Sequence, residues 1–492
     1  MVIPPILTGK TNNRMSLNHV GFGIIRSEMK LPEPGAGKSL DHPDSKRGLN
    51  LHGPVRSRKL IIVALLFFTA LGVRILNWQS YHNQALAVQT SVADNYKHLA
   101  GLIRANGLAS LYDPSSSTSN PDLLGHPPGY PILLSFIYRV APNSDTATQI
   151  VQIILDSLSA VIICLIVFQL FPTAVGVIAG LMAAFAPQFS WNSILLLPDS
   201  LAALPILLGI LLITRGRHWP NRSRLFSLLA AGALVGVSSW LRANALLLAP
   251  FLALSFPFIY KRGERLRPAL MLVCGACLII GPLTIRNAVV FGKFIPVSLG
   301  AGQTMIEGIA DYNTDGTLGL PQTDMDLIRG EAQTFNRPDY ASSLFSPDGP
   351  ARDRARLSRG FTVIRAHPVW FFGVMIRRAA SMVRLERTPL RQQPTGNSVV
   401  WLQGPLRTIQ KLFITAVFLP LVLIGTGILA YQRRFQDLAI LLAVPCYYFC
   451  TQSSLHTEYR YVLVIHYFLF VLAAVAAYTI GCKITAAWKA AR

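Results

Sequence analysis

The sequence predicts an all-α polytopic membrane protein, a bundle of about ten transmembrane helices (range about 9–13) with interfacial helices and one large outward loop. Three observations predict it. Of 492 residues, 52% are hydrophobic and only 14% charged, and a mean hydropathy of +0.42 is too apolar for a soluble chain of this length. Apolar runs of bilayer length recur along the chain. The basic residues, which give a net charge of +22, gather in short loops between those runs, where they act as topology signals. That distribution argues against nucleic acid as a partner.

Residues 1–57 are polar and rich in Pro and Gly, with eight basic residues from Lys10 to Arg56 against four acids. This composition predicts a disordered cytoplasmic tail. A full-length apolar run after so long a basic extension reads as a retained signal anchor, and a start at Met15 is an alternative. Spans are expected near 58–76, 148–170, 173–190, 199–213, 225–241, 244–260, 268–289, 408–430, 437–452 and 461–481. With the tail inside, counting spans puts Arg215–His218, Lys261–Arg265 and Arg433–Arg434 inside as well. The count holds only if Tyr130–Val140, at roughly 11 residues, lies in the interface instead of crossing.

The chain then divides into the tail 1–57, an N-terminal transmembrane module 58–289 with a first outward loop 77–147, a long outward loop 290–407, and C-terminal transmembrane helices 408–492. The long loop opens on a Gly-rich acidic part with Glu307, Asp311, Asp315, Asp324, Asp326 and Asp339. It continues from Arg352 to Arg391 as a basic part with Trp370, Phe371 and Phe372, which reads as an interfacial helix.

Cys164, Cys274, Cys277, Cys446, Cys450 and Cys482 lie in or beside apolar segments, so no disulfide framework is implied. Cys274 and Cys277 have redox or metal spacing but no further ligands nearby, and are read as a structural pair. A metal site is not supported, no cofactor is required by the sequence, and a divalent ion would be an unsupported addition.

The polar residues crowd the outward side. Asp94, Lys97 and His98 are spaced to share one helical face, where a carboxylate and two bases can meet one anionic substrate. The pattern that follows is Tyr96, then His126-Pro127-Pro128-Gly129-Tyr130-Pro131, Pro198-Asp199, Leu241-Arg242, Ile285-Arg286-Asn287 leading to Gly292-Lys293-Phe294, His367-Pro368, and Tyr459-Arg460-Tyr461. From about residue 58 onward this pattern resembles the bacterial GT-C class of lipid-linked-sugar glycosyltransferases, related to protein O-mannosyltransferases and aminoarabinose transferases. The family usually has Glu after the first-loop acid, whereas Asn95 follows Asp94 here.

The resemblance implies a GT-C-like bundle in a bacterial inner membrane, with the active site toward the periplasm or exterior. It implies transfer of a hexose or pentose, with inversion, from a polyprenyl-phosphate donor to an envelope acceptor that is a glycolipid, glycan or protein. Asp94 would be the general base and Asp199 a second catalytic acid, against the plainer role of a helix N-cap. Tyr96, Lys97, His98, His126 and Tyr130 would bind substrate. Arg242, Arg286 and Arg460, each at an outer span end, would hold the donor phosphate, against the plainer role of snorkelling to the interface. Asp156 and His466 inside spans are expected to face the protein, with Asp156 paired. Membrane lipids are the remaining partners. No Gly-rich phosphate loop points to a nucleotide sugar. Two other classes, a lipid-linked-sugar flippase or transporter and a noncatalytic membrane assembly protein, fit less well, because one intramembrane carboxylate and no inverted repeat are poor transporter signs.

Overall fold

The computed structural model describes residues 54–386 and 402–492. Most of the expected basic tail, Met15 included, and the stretch that contains Arg391 lie outside these residues.

The chain enters as α1 (Pro54–Leu86), whose 33 residues run well past the expected span. An amphipathic α2 (Thr90–Asn106) follows, and its apolar stripe of Ala93, Tyr96, Leu99, Ala100 and Ile103 is buried. Short 3-10 turns then lead to α3 (Gly129–Val140), the segment read as too short to cross. The bundle continues as α4 (Asp145–Leu170), α5 (Thr173–Phe185), α6 (Pro187–Asn192), α7 (Asp199–Gly216) and α8 (Asn221–Leu241). Two fragments, α9 (Leu248–Ala253) and α10 (Phe256–Ile259), precede α11 (Leu266–Phe291).

Between α11 and the C-terminal helices lies a lobe with an apolar core of its own, termed the outer lobe for its place outside the bundle core, which holds α12 (Ala301–Ala310), α13 (Asp324–Thr334), α14 (Gly349–Ala366) and α15 (Pro368–Met382). The C-terminal helices are α16 (Gln403–Lys411), α17 (Thr415–Tyr431), α18 (Phe435–Gln452) and α19 (Leu463–Ala490).

The sequence predicts about ten spans. Among the described residues six helices are long and apolar enough to cross a membrane, or seven if α16 and α17, bent by 58°, form one span. The difference has local causes. Segment 244–260 carries Pro250 and Pro257 and breaks into α9 and α10, since each proline removes a helical N–H and clashes with the preceding turn. Pro187 splits the 173–190 segment in the same way. Open backbone in an apolar setting needs protein partners. Tyr447 supplies them after the α8 end, its hydroxyl donating to the Asn244 carbonyl at 2.7 Å and accepting from the Leu247 amide at 3.2 Å.

Helices α8 and α11 approach each other closely, because Gly232 faces the Leu272 carbonyl and Gly275 faces the Leu229 carbonyl. Residues without side chains let two backbones meet, the usual device where water cannot drive helices together.

Polar contacts divide the bundle into two ends. At one end Arg217 pairs with Asp437 at 3.3 Å, Arg224 with Glu264 at 3.0 Å, and Arg434 donates to the Leu170 carbonyl at 2.6 Å. The three basic loops therefore share one end, as the span count requires. At the other end lie the Lys97–Asp145 pair at 2.8 Å, the Arg242–Asp199 pair at 2.8 Å, and His456 at 2.8 Å from Asp311. Between the ends Asp156 is buried and paired with Arg74 at 2.6 Å, as expected of an intramembrane carboxylate.

The outer lobe has its own apolar core of Met305, Ile306, Ile309, Leu320, Leu327 and Phe371. Its basic stretch is not uniformly superficial. On α14, Arg352 and Arg356 are buried against Glu331, whereas α15 exposes Val369, Phe372 and Ile376 one or two turns apart, the amphipathic pattern of a surface-seated helix.

Candidate active site

The cleft at the α2 end is built from helix termini. Residue Asp199 opens α7, Arg242 follows the last residue of α8, and Arg460 and Tyr461 precede α19, so three chain segments far apart in sequence deliver charge to one place. The cleft is narrow, lined by Asp199, Arg242, Arg460 and Asn244 at its polar part and by Ala203, Ile206, Leu463 and Val464 at its apolar part. A charged part beside an apolar one suits an amphiphile with an anionic head.

The Arg242 guanidinium lies 2.8 Å from Asp199 and 4.1 Å from the Tyr461 ring centroid. Alignment with the carboxylate is poor, and both Asp199 oxygens lack a hydrogen bond. Arg460 gives one nitrogen to Glu458 at 2.8 Å and leaves Nε without a partner. The Tyr96 hydroxyl, buried, also lacks one. Unfilled buried polar atoms cost folding free energy, so their convergence on one cleft marks a place where a ligand completes them.

Aromatic rings form one wall. The Tyr96 ring lies 5.1 Å from His126 and 5.1 Å, edge-on, from Tyr130. Tyr130 donates to Gln152 at 2.7 Å, which in turn donates to the Leu195 carbonyl at 2.6 Å, so α3 is tied to α4 and to the loop before α7. Burial, followed by the positive charges of Arg242 and Arg460, pushes the His126 imidazole down to about 3, and it stays neutral. Burial raises the Tyr96 phenol well above its ordinary range, so it serves as a hydrogen-bond donor.

The residues singled out from sequence fall into three groups. Asp199, Arg242, Arg460, Tyr96, His126 and Tyr130 come together. Asp94 and His98 are exposed on the face of α2 away from the apolar stripe, while Lys97 on that side pairs with Asp145. Arg286 stands apart, with Nε donating to the Leu111 carbonyl at 2.8 Å, one amino nitrogen to the Thr118 carbonyl at 3.1 Å and the other to Asn287 at 3.0 Å. Its nitrogens hold the loop at 108–119 against α11. Asn244 and Tyr461 were given no role from sequence, and their signal was adjacency to Arg242 and Arg460. Among the described residues no group of three or more His, Cys, Asp or Glu side chains is placed to hold a metal ion.

Residues 125–284 match the family model described as dolichyl-phosphate-mannose-protein mannosyltransferase. That stretch includes His126, Tyr130, Asp199 and Arg242 but not Asp94, Arg286 or Arg460. In three dimensions, the Archaeoglobus fulgidus oligosaccharyltransferase AglB, solved with an inhibitory peptide and a dolichol-phosphate, superposes with a TM-score of 0.51 at 16% identity over 89% of this chain and 52% of that one. The chain has the GT-C fold. The apo form of the same oligosaccharyltransferase gives a TM-score of 0.51 at 16% identity, with 88% and 52% covered. ArnT from Cupriavidus metallidurans bound to undecaprenyl phosphate gives 0.35 at 14% identity, with 86% and 77% covered. This GT-C chain spans about half the length of the oligosaccharyltransferase it matches, and no curated protein matches it in sequence.

Proposed function

We propose that the chain is a membrane glycosyltransferase that takes a sugar from a polyprenyl-phosphate donor and transfers it to an envelope acceptor on the outer side of the bacterial inner membrane. The observation that carries this reading is the cleft, where Arg460 keeps an unpartnered Nε and Arg242 pairs with an Asp199 carboxylate whose oxygens lack a hydrogen bond, beside apolar side chains at the end of the bundle opposite the three basic loops. A polyprenyl phosphate has the matching shape, an anionic head on an apolar tail. Its phosphate gains charge as the sugar leaves, so fixed cations stabilise the transition state more than the ground state. Arg242 and Arg460 take that role, with Asp199 aligning Arg242.

The acceptor hydroxyl needs a proton acceptor within hydrogen-bond reach. Asp94 is our assignment by family resemblance, and it is a carboxylate with no partner among the described residues. Attack opposite the leaving phosphate inverts the anomeric carbon.

The test is turnover of a polyprenyl-phosphate sugar by purified protein, in wild type, Asp94→Asn and Asp199→Asn. Asp94→Asn should lose about 10²–10⁴-fold in rate with donor binding kept, the usual contribution of a positioned base. Near wild-type turnover in Asp94→Asn beside a dead Asp199→Asn would move the base to Asp199. Equal activity on a nucleotide sugar without lipid would refute the donor.

A further inference from the structure

The segment that carries His126 to the cleft and leads into α3, the helix that bears Tyr130, has no regular structure of its own beyond a short 3-10 turn, Pro121–Gly125. It is held from outside. The Asp122 carboxylate accepts from the Ser343 hydroxyl at 2.6 Å, from the Phe345 amide at 3.0 Å and from the Ser346 amide at 3.2 Å. Beside it the Ser346 hydroxyl donates to Asn120 at 2.8 Å and the Leu299 amide to the Leu124 carbonyl at 3.1 Å. Phe345 packs with Leu124, Ile295 and Leu299 in a small core directly under the segment.

The other side of the same outer-lobe turn is gripped as well. Arg352 donates to the carbonyls of Ser343 at 2.9 Å, Ser346 at 2.7 Å and Tyr340 at 3.2 Å, and Arg356 to that of Leu344 at 2.6 Å. Both arginines are anchored on Glu331, Arg356 at 2.6 Å and Arg352 at 2.9 Å. Residues 340–346 thus turn their carbonyls into a buried ion cluster and two amides toward Asp122. Burial acts to raise the Asp122 carboxyl, and the Ser343, Phe345 and Ser346 hydrogen bonds outweigh it and keep the group ionised.

We propose that Asp122 is a positioning residue through which the outer lobe fixes the segment carrying His126 and Tyr130 at the cleft. The kinetic part of this inference rests on the glycosyl-transfer reading, while the mechanical part stands without it. Asn in place of Asp122 keeps the volume but offers a single acceptor oxygen and turns an amide donor toward backbone donors, so the turn and the segment should separate.

The experiment is amide hydrogen exchange of the full-length protein in nanodiscs, with turnover measured on the same preparations. In Asp122→Asn, exchange over residues 120–126 should quicken by about tenfold or more, in line with losing hydrogen bonds to a charged group, while α4 and α19 exchange as in wild type. In the same variant kcat should fall with the donor KM held, because Arg242 and Arg460 remain in place. Ser343→Ala should give a smaller selective loosening and Ser343→Thr, which keeps the hydroxyl, should restore protection. Unchanged exchange over 120–126 in Asp122→Asn overturns the inference, as does a loosened segment with unchanged kcat. If Asp122→Asn loosens the whole protein, selective loosening in Ser343→Ala supports the coupling and silence there overturns it. A wild-type protein that turns over no donor would remove the functional reading, and the exchange measurement would still decide the coupling.

Discussion

Two groups of buried arginines can be set side by side. In the outer lobe, Arg352 and Arg356 share the Glu331 carboxylate and reach four carbonyls of the 340–346 turn, leaving one nitrogen, Arg356 Nη1, without a partner. In the cleft, Arg242 meets Asp199 without a well-aligned hydrogen bond, Arg460 Nε has no partner, and the Tyr96 hydroxyl beside them has none either. Both groups place cations out of water, which is costly unless geometry compensates. One is satisfied by the protein itself in all but that one nitrogen and acts as a structural joint. The other is left incomplete, and a phosphate is the group that would complete it.

Three outcomes would break or sharpen that contrast. The largest concerns Glu331, since Glu331→Ala leaves two buried guanidinium groups uncompensated and should destabilise the outer lobe by about 3–5 kcal/mol. Thermal or denaturant unfolding followed by exchange over α12–α14 would measure it, and a loss under about 1 kcal/mol would dissolve the distinction. Next is the cleft, where Arg460→Ala should cost about 10²–10³-fold in donor turnover, with weaker donor binding. Arg286→Ala should instead leave donor affinity unchanged and loosen residues 108–119, because its nitrogens serve that loop. Equal loss of donor affinity in both variants would place Arg286 with the phosphate group after all.

The smallest effect is a pH dependence. The folded His126 titrates at about 3, far below the ordinary value of about 6.5 that the unfolded chain has. The unfolded state therefore binds the proton first as pH falls, so stability should decline from about pH 6.5 toward 3 and level off below. His126→Gln should flatten that decline. An identical pH slope in wild type and His126→Gln would show that the imidazole is not held neutral by the cleft.

Much of this architecture was legible from residue order. That α3 is too short to cross followed from length alone, and the shared end of the three basic loops followed from counting spans. Pro250, Pro257 and Pro187 were visible signals of broken helices, but hydropathy averaged over a window hides a proline that tertiary partners compensate. The stripe Ala93, Tyr96, Leu99, Ala100 and Ile103 could have shown that Tyr96, and not Asp94, faces the bundle, since two helical residues apart are nearly opposite. The separation of Arg286 from Arg242 and Arg460 was not legible. All three stand at one end of an apolar run, and only the path of the loop at 108–119 decides which arginine finds carbonyls waiting. The Glu331 cluster was equally hidden, because a basic helix with scattered aromatics has the same composition whether its arginines face lipid headgroups or a carboxylate 21 and 25 residues upstream.

The meeting of α8 and α11 backbones at Gly232 and Gly275 has a consequence for anyone reading this protein through its variants. Any side chain at either position must push apart two helices whose carbonyls already touch the site. A saturation map would therefore carry, besides the zone around the arginine cleft, an intolerant zone along the α8–α11 seam. The second would look as essential as the first while saying nothing about sugar, phosphate or proton.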